Sequence, residues 1–167
     1  MWIATLNGLD VYDPRNATLK HYHKSDAPNS LGDNFVISLC EDRHGDIWIG
    51  TGSYVNKFDK KHGKFTYYSQ AEGLPNNRIF EILQDHRRNL WFSTGGGLCR
   101  FDTLTSRFRT YTVEEGLQSM EFNLRACCLS PDGEVFFGGM NGFNSFYPDS
   151  LRDNPYIPEI EIGRAHV

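Results

Sequence analysis

One short sequence motif with a large aromatic residue recurs along this chain at a nearly constant spacing. It reads WIAT at residues 2–5, IWIGT at 47–51 and WFST at 91–94. The aromatic residues that mark the motif, together with a fourth in the same register, lie 46, 43 and 45 residues apart: Trp2, Trp48, Trp91 and Phe136. A period of about 45 residues is typical of the blades of a β-propeller. The spacing therefore predicts an array of similar structural units.

Each unit predicts four short antiparallel strands joined by tight turns. Apolar residues alternate with small or polar ones, and Gly and Asp recur where hairpin turns are needed. Twelve residues before the later anchors lie three apolar residues that we assign to one position of the first strand: Val36, Ile79 and Leu124. Where two units have Gly45 and Gly133 in a turn, the third has Arg88, so we expect Asn89 to supply any positive φ there.

The predicted fold class is all-β, an incomplete β-propeller of about three to four four-stranded antiparallel blades, with the first and last blades partial. A blade with two apolar faces cannot stand alone, so neighbouring blades must pack together. The four anchor aromatics are then expected to pack between blades, and we assign them no ligand. The blade units are predicted at residues 2–23, 35–68, 78–111 and 122–148, within a partial propeller over 1–148.

Composition argues against several classes of function. The net charge is −4 and the chain has no basic run, so nucleic-acid contact is not expected. No apolar stretch approaches the roughly 20 residues of a membrane span. None of the four cysteines forms a CxxC pair, so we expect no metal site or cofactor, and we interpret all four as small buried apolar residues: Cys40, Cys99, Cys127 and Cys128.

Two stretches of the chain resemble a known family. They read ISLCEDRHGDIWIGT and IFEILQDHRRNLWFSTGGGLCRFDTLTSRFRTYTVEEGL, and they resemble the two-component regulator propeller repeat. The resemblance implies the extracytoplasmic sensor region of a bacterial hybrid two-component system. It also implies a periplasmic location within an inner-membrane receptor, homodimerisation of that receptor, and packing against the remaining blades and a β-sandwich domain. An oligosaccharide ligand is implied in the same way.

The last unit and the residues after it point to the C-terminal blades of such a region. EGLQSMEFNLRACCLSPDGEVFFGGMNGFNSFYPDSL resembles the family's final blade. Residues 149–161 are Pro-rich and are interpreted as a linker toward the β-sandwich. The final six residues, 162–167, match a common sequencing-library adapter translated in one frame and followed by a stop codon, so we interpret them as adapter read-through. We therefore expect this sequence to be a fragment of a larger receptor.

No catalytic motif is found in the sequence, and binding by the loops is the favoured function. Loops before strand one and between strands two and three gather at one end of a propeller channel. Their amide, guanidinium, carboxylate and phenol groups suit sugar hydroxyls and rings. The candidate ligand-binding residues are Asn76, Asn77, Arg78, Glu121, Asn123 and Arg125, with Tyr54 and Asn141 in the loops between strands two and three.

Two other functions remain open from the sequence. A propeller enzyme, such as a lyase or a glycoside-active domain, would need His or carboxylate groups converging on the channel. The predicted strand-one positions that face the channel are instead apolar or small. A protein-interaction scaffold is the other alternative. Saturable binding of an oligosaccharide without turnover would favour the sensor over both.

Overall fold

The computed structural model describes residues 1–27 and 29–151. Within them the strands form four consecutive antiparallel sheets, the blades, which we number 1 to 4 along the chain. The strands are β1 (Trp2–Thr5), β2 (Gly8–Asp13), β3 (Thr18–Tyr22), β4 (Val36–Glu41), β5 (Ile47–Thr51), β6 (Val55–Asp59), β7 (Lys64–Tyr68), β8 (Ile79–Gln84), β9 (Leu90–Thr94), β10 (Gly97–Asp102), β11 (Arg107–Tyr111), β12 (Phe122–Leu129), β13 (Val135–Gly139) and β14 (Gly142–Phe146).

Each strand pairs with the next strand of its own blade, so every blade is a meander. Blades 2 and 3 have four strands, whereas blade 1 consists of β1–β3 and blade 4 of β12–β14. The first strands of blades 2, 3 and 4 contact one another in turn, β4 with β8 and β8 with β12. They therefore form the inner side of the row. The prediction of an all-β, incomplete propeller with partial first and last blades is confirmed.

The apolar core lies between blades, in three clusters. Trp48 and Trp91 are almost fully buried, at 1% and 0% exposure. The ring centroids of Trp48 and of Phe101 in the next blade are 5.3 Å apart, and those of Trp91 and Phe146 are 5.0 Å apart. Such ring pairs add stabilisation beyond their buried area, about 0.5–1.5 kcal/mol each. One large aromatic residue thus joins each of these blades to the next.

The remaining two anchors lie at the two ends of the row. Trp2 is half-buried and contacts Phe58 of blade 2, at 5.4 Å between ring centroids. Phe136 is also half-buried, and its ring lies 6.3 Å from the exposed Phe143 of its own blade. Phe136 occupies the repeat position of Trp48 and Trp91 on the face of blade 4 that no described blade covers.

A buried aspartate holds each of the two buried tryptophans in place. Asp42 Oδ2 accepts a hydrogen bond from Trp48 Nε1 at 2.8 Å, and Asp85 Oδ2 accepts one from Trp91 Nε1 at 2.9 Å. The other oxygen, Oδ1, accepts from backbone N–H groups of the turn that joins strands one and two. Because both carboxylates are buried, each hydrogen bond satisfies groups that would otherwise lack a partner. The aspartate therefore links the turn to the blade interface.

The turn of blade 3 differs from the sequence-based expectation. Arg88 itself has a positive φ, 73°, like Gly45 and Gly133 at the same repeat position, whose φ values are 84° and 94°. Asn89 is not among the residues with positive φ. Asn89 instead binds Asp85 through both its backbone N–H and its side-chain amide. The turn keeps the geometry of its neighbours, and the arginine is forced into the left-handed region.

Strand β12 corrects a second expectation. Phe122, and not Leu124, pairs with Gly139 in the way that Val36 pairs with Thr51 and Ile79 with Thr94. The ladder resumes at Cys127, so residues 123–126 lie in an irregular stretch two residues longer than in blades 2 and 3. Phe122 is buried, whereas Leu124 is 52% exposed. The fixed spacing from the anchor fails here because strand one of blade 4 contains an insertion.

The links that follow blades 2 and 3 share one arrangement. A short 3-10 turn begins after Ser69, whose Oγ accepts from Ala71 N while Glu72 Oε2 accepts from Ser69 N. The second such turn, after Thr112, is closed by Glu115 in the same way. A buried leucine from each link, including the link after blade 1, enters the interblade core: Leu31, Leu74 and Leu117.

In the described part of the chain, no helix has the length and apolar character that crossing a membrane would need. A short 3-10 turn, Pro148–Ser150, follows blade 4. The rest of the predicted linker and the predicted adapter residues, 152–161 and 162–167, lie outside the described residues.

Candidate ligand-binding rim

The loops that precede strand one meet the loops between strands two and three at one end of each blade. In blade 3, Gly95 N donates to Arg78 O at 3.3 Å. A Cβ on Gly96 would lie only 3.0 Å from Pro75 O, so the two loops touch through their backbones. This end of the blades is called the rim below. The predicted clustering of the two loop sets is therefore present in blade 3.

Asn76 and Asn77 both use their side-chain oxygens to shape the loop. Asn76 Oδ1 accepts from Arg78 N at 2.8 Å, and Asn77 Oδ1 accepts from Gln70 N at 2.9 Å. The first bond is an Asx turn of the kind that favours Asn in loops. These bonds leave the amide nitrogens of the two residues, and one lone pair on each side-chain oxygen, for a ligand.

Arg78 occupies a rim position that changes character from blade to blade. The residue immediately before strand one is Phe35 in blade 2, Arg78 in blade 3 and Glu121 in blade 4, and all three are exposed. The Arg78 guanidinium lies 5.1 Å from the Phe80 ring centroid, a cation–π contact. A position that is apolar, cationic and anionic in turn can give each blade a different preference for a ligand.

Blade 4 brings three candidate residues together around Gln118. Asn141 N donates to Gln118 Oε1 at 2.7 Å, and Asn141 Nδ2 donates to Gln118 O at 3.3 Å. The Glu121 carbonyl accepts from Gln118 Nε2, and Asn123 Nδ2 donates to Gly139 O at 3.3 Å. Asn141, Glu121 and Asn123 thus surround one loop junction. Gln118, which the sequence analysis did not single out, is its centre.

Tyr54 lies apart from these residues, in a groove beside the link between blades 1 and 2. Its ring centroid is 6.2 Å from that of Tyr67, whose hydroxyl donates to Ser30 O. Lys24 and Ser25 also line this groove, whose volume is about 300 Å³. Two phenol rings with an ammonium and a hydroxyl nearby make a polar aromatic surface.

Arg125 lies in a different groove, where the inner strands converge. The groove has a volume of about 340 Å³, and it is lined by residues from blades 1, 2 and 4: Leu6, Phe35, Val36, Ile37, Leu124 and Arg125. We call it the axial groove. Arg125 has a φ of 57° and belongs to the irregular stretch of β12. A non-glycine residue in the left-handed region carries backbone strain.

Glu81 corrects the expectation that inner-strand positions are only apolar or small. It lies on β8 at the position that Ser38 occupies on β4, and it is half-buried. Burial raises the pKa of the Glu81 carboxyl above its usual value, although the Ile82 N–H and the nearby Arg125 cation act in the opposite direction. The alternation of apolar and polar residues along β8 did not predict that Glu81 lies on the inner side. A bulge at Phe80 shifts that alternation by one residue.

Three of the four cysteines carry thiols that are not activated. Burial raises the pKa of Cys40 to about 11 and that of Cys99 and Cys127 to about 12, so these three thiols stay protonated at neutral pH. The expectation that all four cysteines are buried holds only for Cys99, since Cys40 and Cys127 are half-buried and Cys128 is exposed. Among the described residues, no group of three or more His, Cys, Asp or Glu side chains could hold a metal ion.

The architecture defines a class of protein, the β-propeller, seen here as an open row of four blades. Residues 30–53 and 73–96 each match the family model of the two-component regulator propeller. Each match begins in the link before strand one and continues into the loop after strand two. These two stretches are therefore similar to the two-component regulator propeller repeat, as the sequence predicted.

Solved structures share the fold. The extracellular domain of BT4673 from B. thetaiotaomicron, described as a one component system, is 20% identical with a TM-score of 0.68, and the match covers 86% of this chain and 19% of that one. The extracellular domain of the hybrid two component system BT3049 from B. thetaiotaomicron is 23% identical with a TM-score of 0.54, covering 89% and 26%. Virginiamycin B lyase from Staphylococcus aureus is 16% identical with a TM-score of 0.57, covering 89% and 52%.

This chain therefore spans between about a fifth and about a half of the length of these structures. No curated protein sequence matches it. At these identities the structural likeness concerns the propeller fold.

Proposed function

We propose that this chain is the ligand-sensing propeller portion of a hybrid two-component sensor, placed outside the cytoplasm and, more specifically, in the periplasm. In the whole receptor it acts together with the remaining blades, a β-sandwich domain and a second copy of the receptor. The observation that carries the proposal is the pair of matches to the two-component regulator propeller at residues 30–53 and 73–96. The extracellular sensor domains with the same fold support it.

The ligand that we propose is an oligosaccharide, bound at the rim and not chemically changed. Amide groups of Asn76 and Asn141, the phenols of Tyr54 and Tyr67, and the exposed Arg78 all lie at or beside the rim. Sugars present many hydroxyls together with flat apolar ring faces, which such a mixture of groups can bind. Binding at the rim would signal only by favouring one arrangement of the receptor over another.

Calorimetric titration of the full-length protein with a panel of oligosaccharides tests this function. We expect at least one sugar to bind saturably, with no product detected by chromatography of the same mixture. Tyr54→Ala and Asn123→Ala should weaken binding. Leu104→Ala is the control, because Leu104 is 88% exposed in the turn between β10 and β11, at the opposite end of the blade. Absence of binding across the panel would overturn the proposal.

The enzyme alternative predicts turnover in the same assay. A His→Ala variant of virginiamycin B lyase is described as catalytically inactive, so that lyase requires a histidine. Within residues 1–27 and 29–151, no histidine lies on the inner strands β4, β8 or β12. Glu81 is the titratable residue of β8 that faces blade 4, so Glu81→Gln would abolish any turnover that was found.

A further inference from the structure

We propose that the axial groove selects a sugar acid, with Arg125 binding its carboxylate and the surrounding apolar side chains packing against its ring. This inference rests on the proposed carbohydrate-sensing function and names the class of carbohydrate. It assigns the carboxylate of that ligand to the axial groove, whose lining includes the rim residue Phe35.

The walls of the axial groove are apolar yet exposed. Leu6 is 79% exposed, Phe35 is 40% exposed and Leu124 is 52% exposed, and they come from three different blades. Most apolar side chains of the described residues are buried between blades, so these three are exceptions that converge on one place. Exposed apolar residues that gather in a concave site commonly mark a binding surface. The C–H face of a pyranose ring is a partner of the right shape and polarity.

The groove carries one charge, and that charge is positive. Arg125 is the charged residue among those that line it. Arg125 makes no ion pair with any carboxylate that the structure describes. A guanidinium presents paired N–H donors whose geometry matches a carboxylate. A ligand with one carboxylate attached to a ring would therefore complement both features of the groove.

Glu81 lies near Arg125 but forms no ion pair with it among the described residues. The two residues are near enough for the cation to lower the pKa of the Glu81 carboxyl, but burial has the larger, opposite effect. A carboxyl whose pKa is raised carries less negative charge at mildly acidic pH than an ordinary glutamate. Because no described carboxylate forms an ion pair with Arg125, its guanidinium can bind an external anion.

The backbone places Arg125 in the groove at an energetic disadvantage. Blades 2 and 3 pass from the first to the second ladder position of strand one without the two extra residues of β12. The insertion carries Leu124 and Arg125 into the groove, with Arg125 at a φ of 57°. Asparagine tolerates this backbone conformation better than arginine, so Arg125→Asn removes the guanidinium without adding strain.

The test measures the affinity of the full-length protein for digalacturonate, for its dimethyl ester and for the neutral disaccharide galactobiose. We expect digalacturonate to bind the wild type at least about ten-fold more tightly than the ester, since charge-assisted hydrogen bonds are lost. Arg125→Asn should weaken digalacturonate binding by about ten- to hundred-fold and leave galactobiose unaffected. Added salt should reduce the wild-type preference, because Arg125 is exposed.

Arg43→Asn is the matched control, since Arg43 is an exposed arginine in the turn at the opposite end of blade 2. It should leave all three affinities unchanged, and circular dichroism should confirm that both variants are folded. Equal affinity for acid and ester, unaltered in Arg125→Asn, would overturn the sugar-acid inference while leaving carbohydrate sensing intact. If none of the three sugars nor any other of the wider panel binds, the proposed function itself fails.

Discussion

At the scale of single residues, the type of the anchor aromatic residue corresponds to the type of the residue that begins the preceding turn. Asp42 and Asp85 bind the indole N–H of Trp48 and Trp91. In blade 4 the anchor is Phe136, which has no N–H to satisfy, and the turn begins with a serine. Ser130 Oγ accepts from Glu134 N at 2.9 Å, which keeps the turn closed. The two positions change together because they share one hydrogen bond.

A double-mutant cycle in blade 3 tests this coupling. Asp85→Ser should leave the buried indole N–H unpaired and lower the free energy of unfolding by about 1–3 kcal/mol. Trp91→Phe should lower it as well, because Asp85 loses its donor and the core loses volume. The double variant reproduces the blade 4 pair and should be more stable than the sum of the single losses predicts, by about 1 kcal/mol. Urea denaturation measures all four proteins, and strict additivity would contradict the coupling.

Arg88 leads to a second prediction at this scale. Its φ of 73° is unfavourable for any residue with a Cβ, and glycine occupies the same position in blades 2 and 4. Arg88→Gly should raise the free energy of unfolding by about 1 kcal/mol. The control Arg43→Gly should instead lower it by up to about 1 kcal/mol, because glycine has more freedom in the unfolded chain. Thermal melts of both variants compare their melting temperatures with that of the wild type. A lower melting temperature for Arg88→Gly would contradict the prediction.

The sequence predicted the anchor tryptophans, but it did not predict their hydrogen-bond partners or the backbone conformation of Arg88. Periodicity identified Trp48 and Trp91 because a large aromatic residue at fixed spacing is visible without any structure. Asp42 and Asp85 also recur at fixed spacing, but an Asp in a turn is ordinary, and its bond to an indole six residues later exists only in the folded blade. The φ of Arg88 could not be predicted from residue preferences, because Asn89 is the better left-handed residue.

At the scale of strands and turns, acidic side chains fasten the ends of the third strands. Asp13, Asp59 and Asp102 are each the last residue of strand three of a blade, and each accepts hydrogen bonds within the next turn. The side-chain bond from Arg15 lowers the pKa of Asp13, and that from His62 lowers the pKa of Asp59. Burial acts to raise the pKa of Asp102, but backbone N–H groups of Thr105 and Leu104 outweigh it and the pKa is lowered.

These depressed pKa values predict a loss of stability in acid. A carboxyl whose pKa is lower in the folded state stabilises the fold fully above its unfolded pKa, near 3.8, and loses this contribution as the pH falls through the folded value. Melting temperatures should therefore be flat from about pH 7 to about pH 5 and should fall below about pH 4. Asp102→Asn should make that fall smaller. An unchanged acid dependence in this variant would show that Asp102 does not contribute to it.

At the level of strands and loops, the meeting of the rim loops was predictable from the sequence, whereas several nearby residues were not. The loops before strand one and between strands two and three meet as expected from propeller topology. Gln118 and Glu81 escaped the sequence analysis, since one is a common loop residue and the other follows a bulge. The sequence analysis assigned Leu124 to the strand position that Phe122 occupies. A fixed distance from the anchor Phe136 cannot reveal a two-residue insertion between them. Irregular strands therefore hide residues that regular alternation would reveal.

At the scale of the whole molecule, each blade packs against its sequence neighbours, and the row leaves two outer faces. Blade 4 exposes Phe143 at 66% and Met140 at 66%, and blade 1 exposes Leu19 at 51%. The outer edge of β14 and the inner edge of β1 also lack a partner strand among the described residues. Unpaired edges and open apolar faces promote association.

We predict that this 167-residue chain, produced by itself, associates in a concentration-dependent way or remains dynamic. Phe143→Lys should reduce association, because it places a charge on the exposed face beside Phe136. Leu104→Lys is the control, since Leu104 lies in a turn remote from that face. Sedimentation velocity over a range of concentrations measures the effect. A monomer with a sharp cooperative melt would contradict the prediction.

The irregular stretch of β12 lies between two positions at which the ladder is regular, Phe122 opposite Gly139 and Cys127 opposite Phe137. Residues were thus added to an inner strand without disturbing the pairing on either side or the ring contacts of Trp91 with blade 4. On the proposal that the axial groove binds the ligand, this stretch separates ligand preference from the scaffold. A few residues in one strand would then change the specificity of such a propeller, while the contacts between its blades stay as they are.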